Sequence, residues 1–172
     1  KELNDGFFLG CDISEESIKV CNDELNRDNK YEFMVTDMSD FENENKFDFI
    51  VFPDVLEHIP VQEHANIFKK ISTNTHENTI VVINIPEPKY LNWIRHNKPE
   101  LLQIIDQSLS MQDLLNNCYP AGFYLEEILP YAIHTQVPNY LSVILNKQTT
   151  LEEMNMKSGM GKALDNIKFK FF

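Results

Sequence analysis

Short apolar runs alternate with segments of helical spacing along the first half of the chain. The apolar runs cover residues 7–12, 31–36, 47–52 and 78–86, and each has the length of a strand. After the first run, a serine that can cap a helix precedes apolar residues at the spacing of one helix face. This rhythm of strand and helix predicts an α/β fold with a Rossmann-like, doubly wound sheet.

Two of these segments also predict how they are buried. The run at 78–86 is almost entirely β-branched and apolar, as expected for a central parallel strand that is covered on both faces. A helix near 61–72 follows the third run, and one stripe of it should face inward. The predicted inner stripe consists of Ala65, Phe68 and either Ile71 or Ser72.

The second half of the chain has a different pattern. Residues 87–119 contain no convincing strand, although Ser110 is a suitable helix cap and Gly122 is placed to follow that helix. Two strand-like runs come next, at 123–133 and 139–147. The loop between them is too short to hold a crossover helix, so the last pair of strands is predicted to be antiparallel.

Composition narrows the class of protein and its partners. The chain has 172 residues, of which 42% are hydrophobic and 24% charged, as is typical of one soluble globular domain. With 15 Lys and Arg against 27 Asp and Glu, the formal net charge is -12. This charge repels phosphate backbones, so nucleic acid is not expected as a partner, whereas a small cationic ligand would be tolerated.

The sequence also bears on location. No apolar run approaches the ~20 residues needed to cross a bilayer, and the first residues do not form a signal peptide. Cys11, Cys21 and Cys118 lack metal-ligand spacing, so they are expected to be reduced, mostly buried thiols of a cytoplasmic protein. The oligomeric state is left open, and a homo-oligomer is compatible with the sequence.

Three successive predicted strands end on a carboxylate, at Asp12, Asp37 and Asp54. In an open parallel sheet, ligands bind outside the carboxyl ends of the strands. A carboxylate at such an end can accept hydrogen bonds from a ribose diol, and the next can accept from an adenine amino group. Each acid also has a simpler interpretation, since Asp12 can cap a helix and Asp37 can belong to an ordinary turn.

These residues resemble those of the S-adenosylmethionine-dependent methyltransferases with the Rossmann-like (class I) fold. The segments "FLGCDIS" and "FMVTDMSDF" are similar to the family's ribose-binding and adenine-binding segments. The segment "FDFIVFPDVLEHIP" is similar to the one after its fourth strand, and is the most specific of the three. The resemblance covers about residues 5–147 and implies a mostly parallel sheet with an antiparallel final strand.

The resemblance also implies which residues hold the cofactor, S-adenosylmethionine. Asp12 would bind the ribose hydroxyls, and Ile13 would lie along the adenine. The adenine edge would meet Asp37 and Met38, and the methionine part would border Phe52, Pro53 and Asp54.

One departure from the family concerns its first strand and the glycine-rich loop that follows it. Neither is found in this sequence, since Gly6 and Gly10 belong to the next strand. In the family that first strand lies centrally, between the second and the fourth, and its absence would leave two strand edges unpaired. We therefore expect that the protein continues before Lys1 and that the sequence given is N-terminally incomplete.

A general base is needed where the methyl acceptor is a neutral nucleophile, and His58 is the first candidate. It follows the third predicted strand directly. Glu57 and His58 have the alternative role of fixing the loop through hydrogen bonds. A metal site built from Glu57, His58 and His64 is also conceivable, but its spacing is unspecific, and no metal is predicted.

The segment 87–119 lies where this family places inserts that recognise the methyl acceptor. Tyr90, Trp93, Arg95 and His96 are predicted to form a wall of the acceptor pocket, with Arg95 pairing an anionic group, although Trp93 can equally anchor the core. His134, between the last two strands, is predicted to face the ligand side. The methyltransferase domain is thus predicted at 1–147, with a tail or linker at 148–172.

The leading hypothesis is methyl transfer to an oxygen or nitrogen of a small molecule, such as a sugar or another metabolite. A degenerate, non-catalytic methyltransferase-like scaffold inside a larger protein is an alternative, because the glycine-rich loop is missing. An NAD-dependent dehydrogenase is a weaker one, since it also places an acid after its second strand.

Overall fold

The protein folds as alternating strands and helices in a computed structural model that describes residues 5–25, 30–39, 41–133 and 135–147. The strands are β1 (Phe8–Asp12), β2 (Tyr31–Val35), β3 (Phe47–Pro53), β4 (Thr75–Pro86), β5 (Phe123–Tyr131) and β6 (Tyr140–Lys147). The α-helices are α1 (Glu15–Leu25), α2 (Val61–Ser72), α3 (Pro88–Asn97) and α4 (Met111–Cys118). Short 3₁₀ turns lie at Leu56–His58, Pro99–Leu101 and Tyr119–Ala121.

The strands form two sheets. In the small sheet, β1 pairs with β2 in parallel. In the main sheet the order is β3-β4-β6-β5, with β3 and β4 parallel and β6 antiparallel to both of its neighbours. The α/β class, the largely parallel arrangement and the antiparallel final strand are therefore confirmed.

The two sheets meet where the family resemblance would put a further strand. Among the described residues, β1 has β2 as its strand partner and β3 has β4, so neither facing edge is paired. Apolar side chains are exposed there: Phe49 and Val51 on β3 have 65% and 54% of their surface in solvent. The position between the second and fourth strands of the family is thus not filled by any residue that the structure describes.

The core lies on one face of the main sheet, beneath α2 and α4. Phe68 on α2 is fully buried, and its ring contacts those of Phe52 on β3 and Phe123 on β5, at centroid distances of 6.3 Å and 6.1 Å. Register explains this convergence, because Phe52 pairs with Ile83 of β4 in the parallel ladder and both point to the same face. Burying apolar area on this scale is the main stabilising contribution to such a domain.

The predicted inner stripe of α2 was partly wrong. Phe68 and Ile71 are buried as predicted, but Ala65 is exposed, and His64 and Ile67 complete the stripe instead. The spacing of 64, 67, 68 and 71 is the regular pattern of one helix face. The predicted stripe left out His64, whose ring hydrogen-bonds inward, to backbone carbonyl oxygens of the preceding turn.

Two burial predictions also needed correction. On β4, Val81, Ile83 and Ile85 are fully buried, but the residues between them are only half-buried, so the strand is covered completely on one face only. The cysteines are free thiols, yet only Cys118 is buried, while Cys21 is half-buried and Cys11 is exposed. Cys11 lies on β1, which has β2 on one edge and no described strand on the other.

The predicted caps and turns are confirmed. The hydroxyl of Ser14 accepts a hydrogen bond from the amide of Ser17 at 3.1 Å, and that of Ser110 accepts from Asp113 at 3.1 Å. Gly122 ends the turn after α4 with φ of 81°, a left-handed conformation in which a side chain would be strained. These local signals set where α1 and β5 begin.

Candidate active site

The carboxyl ends of β1, β2 and β3 bring the three predicted acids to the rims of the two sheets. Asp12 ends β1, and its carbonyl oxygen accepts a hydrogen bond from the amide of Thr36 at 2.9 Å, so Asp12 and Asp37 lie at neighbouring strand ends. Asp54 ends β3 in the main sheet, where its amide donates to the carbonyl of Asn84 at 3.1 Å. The first two acids are thus adjacent through the ladder, and the third belongs to the other sheet.

Asp12 and Asp37 are exposed and each accepts a local hydrogen bond. An oxygen of Asp12 accepts from the amide of Ser14 at 2.7 Å, and an oxygen of Asp37 accepts from that of Ser39 at 2.9 Å. Hydrogen bonds from Ser39 hold the pKa of Asp37 below its usual value, so this group stays ionised. Asp12 thus makes the local hydrogen bond of a helix cap, and Asp37 that of an ordinary turn. Each carboxylate still has a second oxygen that can accept a hydrogen bond from a ligand.

Two residues of the rim have left-handed backbone conformations, Met38 with φ of 67° and Asp54 with φ of 53°. They are the only non-glycine residues with positive φ in the part of the chain that the structure describes. Such residues concentrate at ligand sites, where the surroundings enforce the conformation. The Met38 side chain packs against the core of the main sheet, so it links the two sheets.

The other predicted cofactor residues differ in exposure. Ile13 is 75% exposed, so its side chain is open to a flat apolar ligand group. Pro53 is exposed at the rim, but the Phe52 side chain is buried in the core. Phe52 can therefore border a ligand only through its backbone.

Glu57, in the turn after β3, is buried without a partner. Its side chain is 1% exposed, and neither carboxyl oxygen has a hydrogen-bonding partner among the described residues. Burial raises the pKa of this carboxyl to about 7; the nearby charge of His58 opposes the rise, and that of Asp54 adds to it. Burial also raises the pKa of Asp54, again opposed by His58. The loop-fixing role considered for the Glu57 side chain therefore has no hydrogen bond to support it in the described part of the chain.

His58 is half-buried and held in one orientation. Its Nδ1 lies 2.7 Å from the carbonyl oxygen of Ile105 and 3.1 Å from Oδ1 of Asp106. Two acceptors facing Nδ1 require a hydrogen there, so in the neutral ring Nε2 carries the lone pair. Nε2 lies 3.9 Å from Oε1 of Glu57. The tautomer that the geometry selects is thus the one able to accept a proton on the side facing Glu57.

The loop that orients His58 is itself held by α3 and by the turn. Arg95 donates from Nη1 to the hydroxyl of Ser108 at 3.0 Å and from Nη2 to the carbonyl of Asp106 at 2.6 Å. The backbone amide of Gln107 donates a hydrogen bond to the backbone carbonyl of Glu57 at 2.9 Å. Arg95 therefore organises the loop beside His58, rather than presenting a free guanidinium.

Two tyrosines complete the rim, and sequence reasoning missed both. Tyr131 and Tyr140 face each other across the β5–β6 ladder, with ring centroids 5.6 Å apart. Burial raises the pKa of both phenols, and the charges of Asp54 and Glu57 raise it further. Tyr90 on α3 acts on Tyr140 in the same way. The available signal was the antiparallel hairpin, whose connecting loop must lie at this rim.

The remaining predicted acceptor residues are peripheral in their contacts. Trp93 is 50% exposed, with Nζ of Lys98 6.0 Å from its ring centroid. The ring of His96 bonds through Nδ1 to the carbonyl of Asn92 on its own helix, at 2.7 Å. His134 lies outside the described residues.

His64, considered for a metal site, has a structural role. Its Nε2 lies 2.9 Å from the carbonyl oxygens of both Leu56 and Ile59, so it donates to the turn that carries Glu57 and His58. Within the described ranges, no group of three or more His, Cys, Asp or Glu side chains converges on a point where a metal could bind.

A hollow of about 570 Å³ lies elsewhere on the surface, between the segment 41–44 and the end of α2. Its lining includes Phe41, Glu42 and Lys70. This segment precedes β3, so the hollow is at the opposite end of that strand from the rim. It does not take part in the candidate site.

Comparison with known proteins agrees with this geometry. A family described as "Methyltransferase domain" matches residues 1–78, which run from before β1 into β4. The fold is similar to that of an S-adenosylmethionine-dependent methyltransferase from Methanosarcina mazei, with 17% identity, 83% of this chain and 82% of that chain covered, and a TM-score of 0.64. The chain therefore has the fold of the class I S-adenosylmethionine-dependent methyltransferases, and its first 78 residues match a methyltransferase family.

Two further solved structures share the fold of this chain. One is an S-adenosylmethionine-dependent methyltransferase from Clostridium acetobutylicum, with 11% identity, 81% and 74% of the two chains covered, and a TM-score of 0.67. The other is the N-methyltransferase NodS from Bradyrhizobium japonicum in complex with S-adenosyl-l-homocysteine, with 11% identity, 83% and 67% covered, and a TM-score of 0.64. No curated protein matches the chain. Among the described helices, none has the length and apolar character to cross a membrane.

Proposed function

We propose that the methyltransferase binds S-adenosylmethionine along the rim and transfers its methyl group to an oxygen or nitrogen of a small molecule. The observation that carries the cofactor assignment is the position of Asp12 and Asp37 at adjacent parallel strand ends, where adenosine ligands bind in open α/β sheets. Asp12 binds the ribose hydroxyls, and Asp37 with Met38 meets the adenine edge. Ile13 lies along the adenine ring.

The residues available at the rim fit this cofactor. Adenosine offers hydroxyl and amino donors, which the exposed carboxylates can accept, and a flat ring, which the exposed Ile13 side chain can cover. The methionine part borders Pro53, Asp54 and the backbone of Phe52. When bound, S-adenosylmethionine supplies an electrophilic methyl group on a positively charged sulfur.

His58 is the proposed general base. With Nδ1 donating to Asp106 and to the Ile105 carbonyl, its Nε2 can take the proton that the acceptor loses. The Asp106 carboxylate then stabilises the imidazolium. This arrangement provides a base at the end of β3, next to the proposed methionine part of the cofactor.

The acceptor is proposed to lie against the insert at 87–119. Tyr90 and Trp93 supply aromatic surface, with His96 at the periphery, and Arg95 positions the loop that holds His58. His134, outside the described residues, stays a predicted acceptor residue. The net charge of -12 argues against a nucleic acid acceptor. Three free thiols support a cytoplasmic location, and residues 1–147 are proposed as the catalytic domain.

The cofactor assignment is tested by binding of S-adenosylhomocysteine to the full-length protein, with NAD as the competing ligand. We expect a raised melting temperature with S-adenosylhomocysteine and none with NAD. Asp12→Asn should weaken S-adenosylhomocysteine roughly 10- to 100-fold, because a charge-assisted hydrogen bond contributes about 1.5–3 kcal/mol. The matched control is Asp23→Asn on the exposed side of α1, which should bind like the wild type.

Methyl transfer is then tested with labelled S-adenosylmethionine and a panel of small alcohols, phenols and amines. Stabilisation by NAD alone, or equal binding by Asp12→Asn and the wild type, would contradict the proposed cofactor site. Cofactor binding without transfer to any small molecule would contradict the proposed acceptor class.

A further inference from the structure

Glu57 poses a physical problem that the proposed mechanism does not solve. Its carboxyl group is 1% exposed, and both of its oxygens lack a hydrogen-bonding partner in the described part of the chain. A buried carboxylate that is not paired is among the most costly groups a folded protein can contain. A group in such a state implies a partner that the described residues do not supply.

The surroundings of Glu57 are acidic and lack a fixed cation. Asp54 lies close enough for each carboxyl to raise or lower the other's pKa, yet they complete no hydrogen bond of good geometry. Within the described residues, no Lys or Arg side chain forms an ion pair with either acid, and Arg95 donates to Asn92, Ser108 and Asp106 instead. His58, 3.9 Å away, is the one basic group beside the pair in this part of the chain.

Two aromatic rings lie at the same rim as these carboxyls. Tyr131 and Tyr140 are paired across the last two strands with ring centroids 5.6 Å apart, and Tyr140 also pairs with Pro86 at the end of β4. The charges of Asp54 and Glu57 raise the pKa of both phenols, so the acids act on them electrostatically. The faces of tyrosine rings attract cations within about 6 Å, by roughly 0.5–2 kcal/mol. Two carboxyls without a cation, on a rim that also carries phenol rings, are complementary to a small organic cation.

We propose that Asp54 and Glu57 bind the protonated amino group of the methyl acceptor, so that the substrate class is a small amine and the reaction is N-methylation. This inference rests on the proposed methyltransferase function. An ammonium group donates up to three hydrogen bonds, which would satisfy the buried oxygens of Glu57 and neutralise the pair. A hydroxyl acceptor of the same shape offers one donor and no charge.

The bound amine must release a proton before it can react. Its nitrogen lone pair then forms the new N–C bond while the bond between the methyl carbon and sulfur breaks, with that electron pair leaving on sulfur as a neutral thioether. The released proton passes to the Glu57 carboxylate, whose pKa of about 7 allows it to hold a proton at neutral pH. From Glu57 the proton reaches the proposed general base His58, whose Nε2 lies 3.9 Å from Glu57 Oε1.

The test compares amine and alcohol probes of matched shape, with benzylamine and benzyl alcohol as the first pair and three aliphatic pairs beside it. Affinities are measured by calorimetry at pH 8 on the full-length protein saturated with S-adenosylhomocysteine. At least one amine should bind about tenfold or more tightly than its alcohol, which is about 1.4 kcal/mol. Glu57→Gln should remove this preference, and Glu63→Gln, an exposed glutamate in the first turn of α2, should retain it.

A second experiment tests whether Asp54 and Glu57 instead bind the amino group of the cofactor. Wild type and Glu57→Gln are titrated with S-adenosylhomocysteine and with 5′-methylthioadenosine, which lacks the amino acid part. The proposal expects the two proteins to bind each nucleoside equally. If Glu57→Gln weakens S-adenosylhomocysteine alone and leaves amine binding intact, the acids hold the cofactor and the proposal is overturned.

The remaining outcomes also decide. Equal affinity for every amine and alcohol pair, or no binding of any amine, overturns the inference even where S-adenosylhomocysteine binds. Selective amine binding without any binding of S-adenosylhomocysteine refutes the proposed cofactor site and leaves the cation site standing. If Glu57→Gln does not fold, Asp54→Asn provides the same comparison, and retention of the full amine preference in that variant counts against the proposal.

Discussion

The small sheet and the main sheet each contribute acids to the rim, but they hold them in different ways. Asp12 and Asp37 are exposed and accept hydrogen bonds from amides two residues further along the chain. In the main sheet Glu57 is buried, and His58 is oriented by the carbonyl of Ile105, 47 residues away. The proposed cofactor side is therefore organised locally, and the proposed acceptor side depends on the packing of the whole domain.

The difference shows what each side can tolerate. A local turn keeps its geometry when distant packing changes, so the small sheet can adapt to the ligand it covers. A buried charged group depends on every neighbour that excludes water from it, so the main sheet must be rigid where it carries Glu57 and His58. The following predictions test this contrast.

The largest effect is expected from truncating the aromatic core of the main sheet. Phe68→Ala should lower the free energy of unfolding by about 3–5 kcal/mol, because Phe68 is fully buried between Phe52 and Phe123. Phe8→Ala in the small sheet should cost only about 1 kcal/mol, since that ring is 47% exposed. Urea unfolding of both variants measures the difference. Equal losses would show that the two sheets contribute equally to stability.

The second largest effect concerns the base. His58→Gln should lower kcat about 100-fold, at the low end of general base catalysis, without changing the affinity for S-adenosylhomocysteine. The control is His76→Gln, because His76 also pairs with an aspartate, Asp48, at 3.0 Å, but at the opposite end of β3 and β4. The control should keep full activity. An unchanged kcat in His58→Gln would remove His58 from the mechanism.

The third effect is a pH dependence of stability. The pKa of Glu57 is about 7 in the folded protein and ordinarily 4.5, so the native state binds more protons between these values and its stability falls as pH rises through them. Glu57→Gln has no carboxyl to titrate, so its stability should not fall with pH for this reason. Relative to wild type, the variant should gain about 2–3 kcal/mol on going from pH 5 to pH 8. Urea unfolding at the two pH values measures the gain.

The control for this pH experiment is Glu63→Gln, in which the same substitution is made on the exposed face of α2. Its free energy of unfolding should differ from wild type by a similar amount at both pH values. If Glu57→Gln behaves in the same way, the Glu57 carboxyl titrates at its ordinary value, and the buried site described above is solvated.

The smallest effect separates two roles of Arg95. Arg95→Lys keeps the charge but loses the paired contacts to Ser108 and to the Asp106 carbonyl. We expect kcat to fall about tenfold with little change in KM for the acceptor. A displaced loop would align His58 less well and raise the activation free energy by about 1.4 kcal/mol. A raised KM with unchanged kcat would instead support the sequence-based role, in which Arg95 binds an anionic group of the acceptor.

Features governed by neighbouring residues could be predicted from the sequence. The strands, the serine caps of α1 and α4, the glycine after α4 and the antiparallel last pair all follow from local spacing and turn chemistry. The resemblance that rests on short motifs also gave the correct fold. Local patterns, however, could not give the inner stripe of α2, because His64 is polar by type and is buried by its bonds to distant carbonyls.

The acceptor side could be predicted only in part, for the same reason. His58 and Tyr90 were identified from their positions, but nothing in the sequence marks Asp106 as the partner of His58 or Tyr131 as a neighbour of Glu57. Those relations arise from the folding of the loop at 103–109 and from the register of β5 against β6. The contribution of a buried carboxyl depends on what surrounds it in space, which a single sequence does not specify.

The hairpin between Tyr131 and Tyr140 has a consequence for how such enzymes diverge. Its ladder is fixed by backbone pairing down to Phe123 and Lys147, so residues inserted at the tip would leave every strand in register. Only the loop between Tyr131 and Tyr140 would change in length and chemistry. Insertions at this one tip would therefore alter the proposed acceptor side while the strands stay the same.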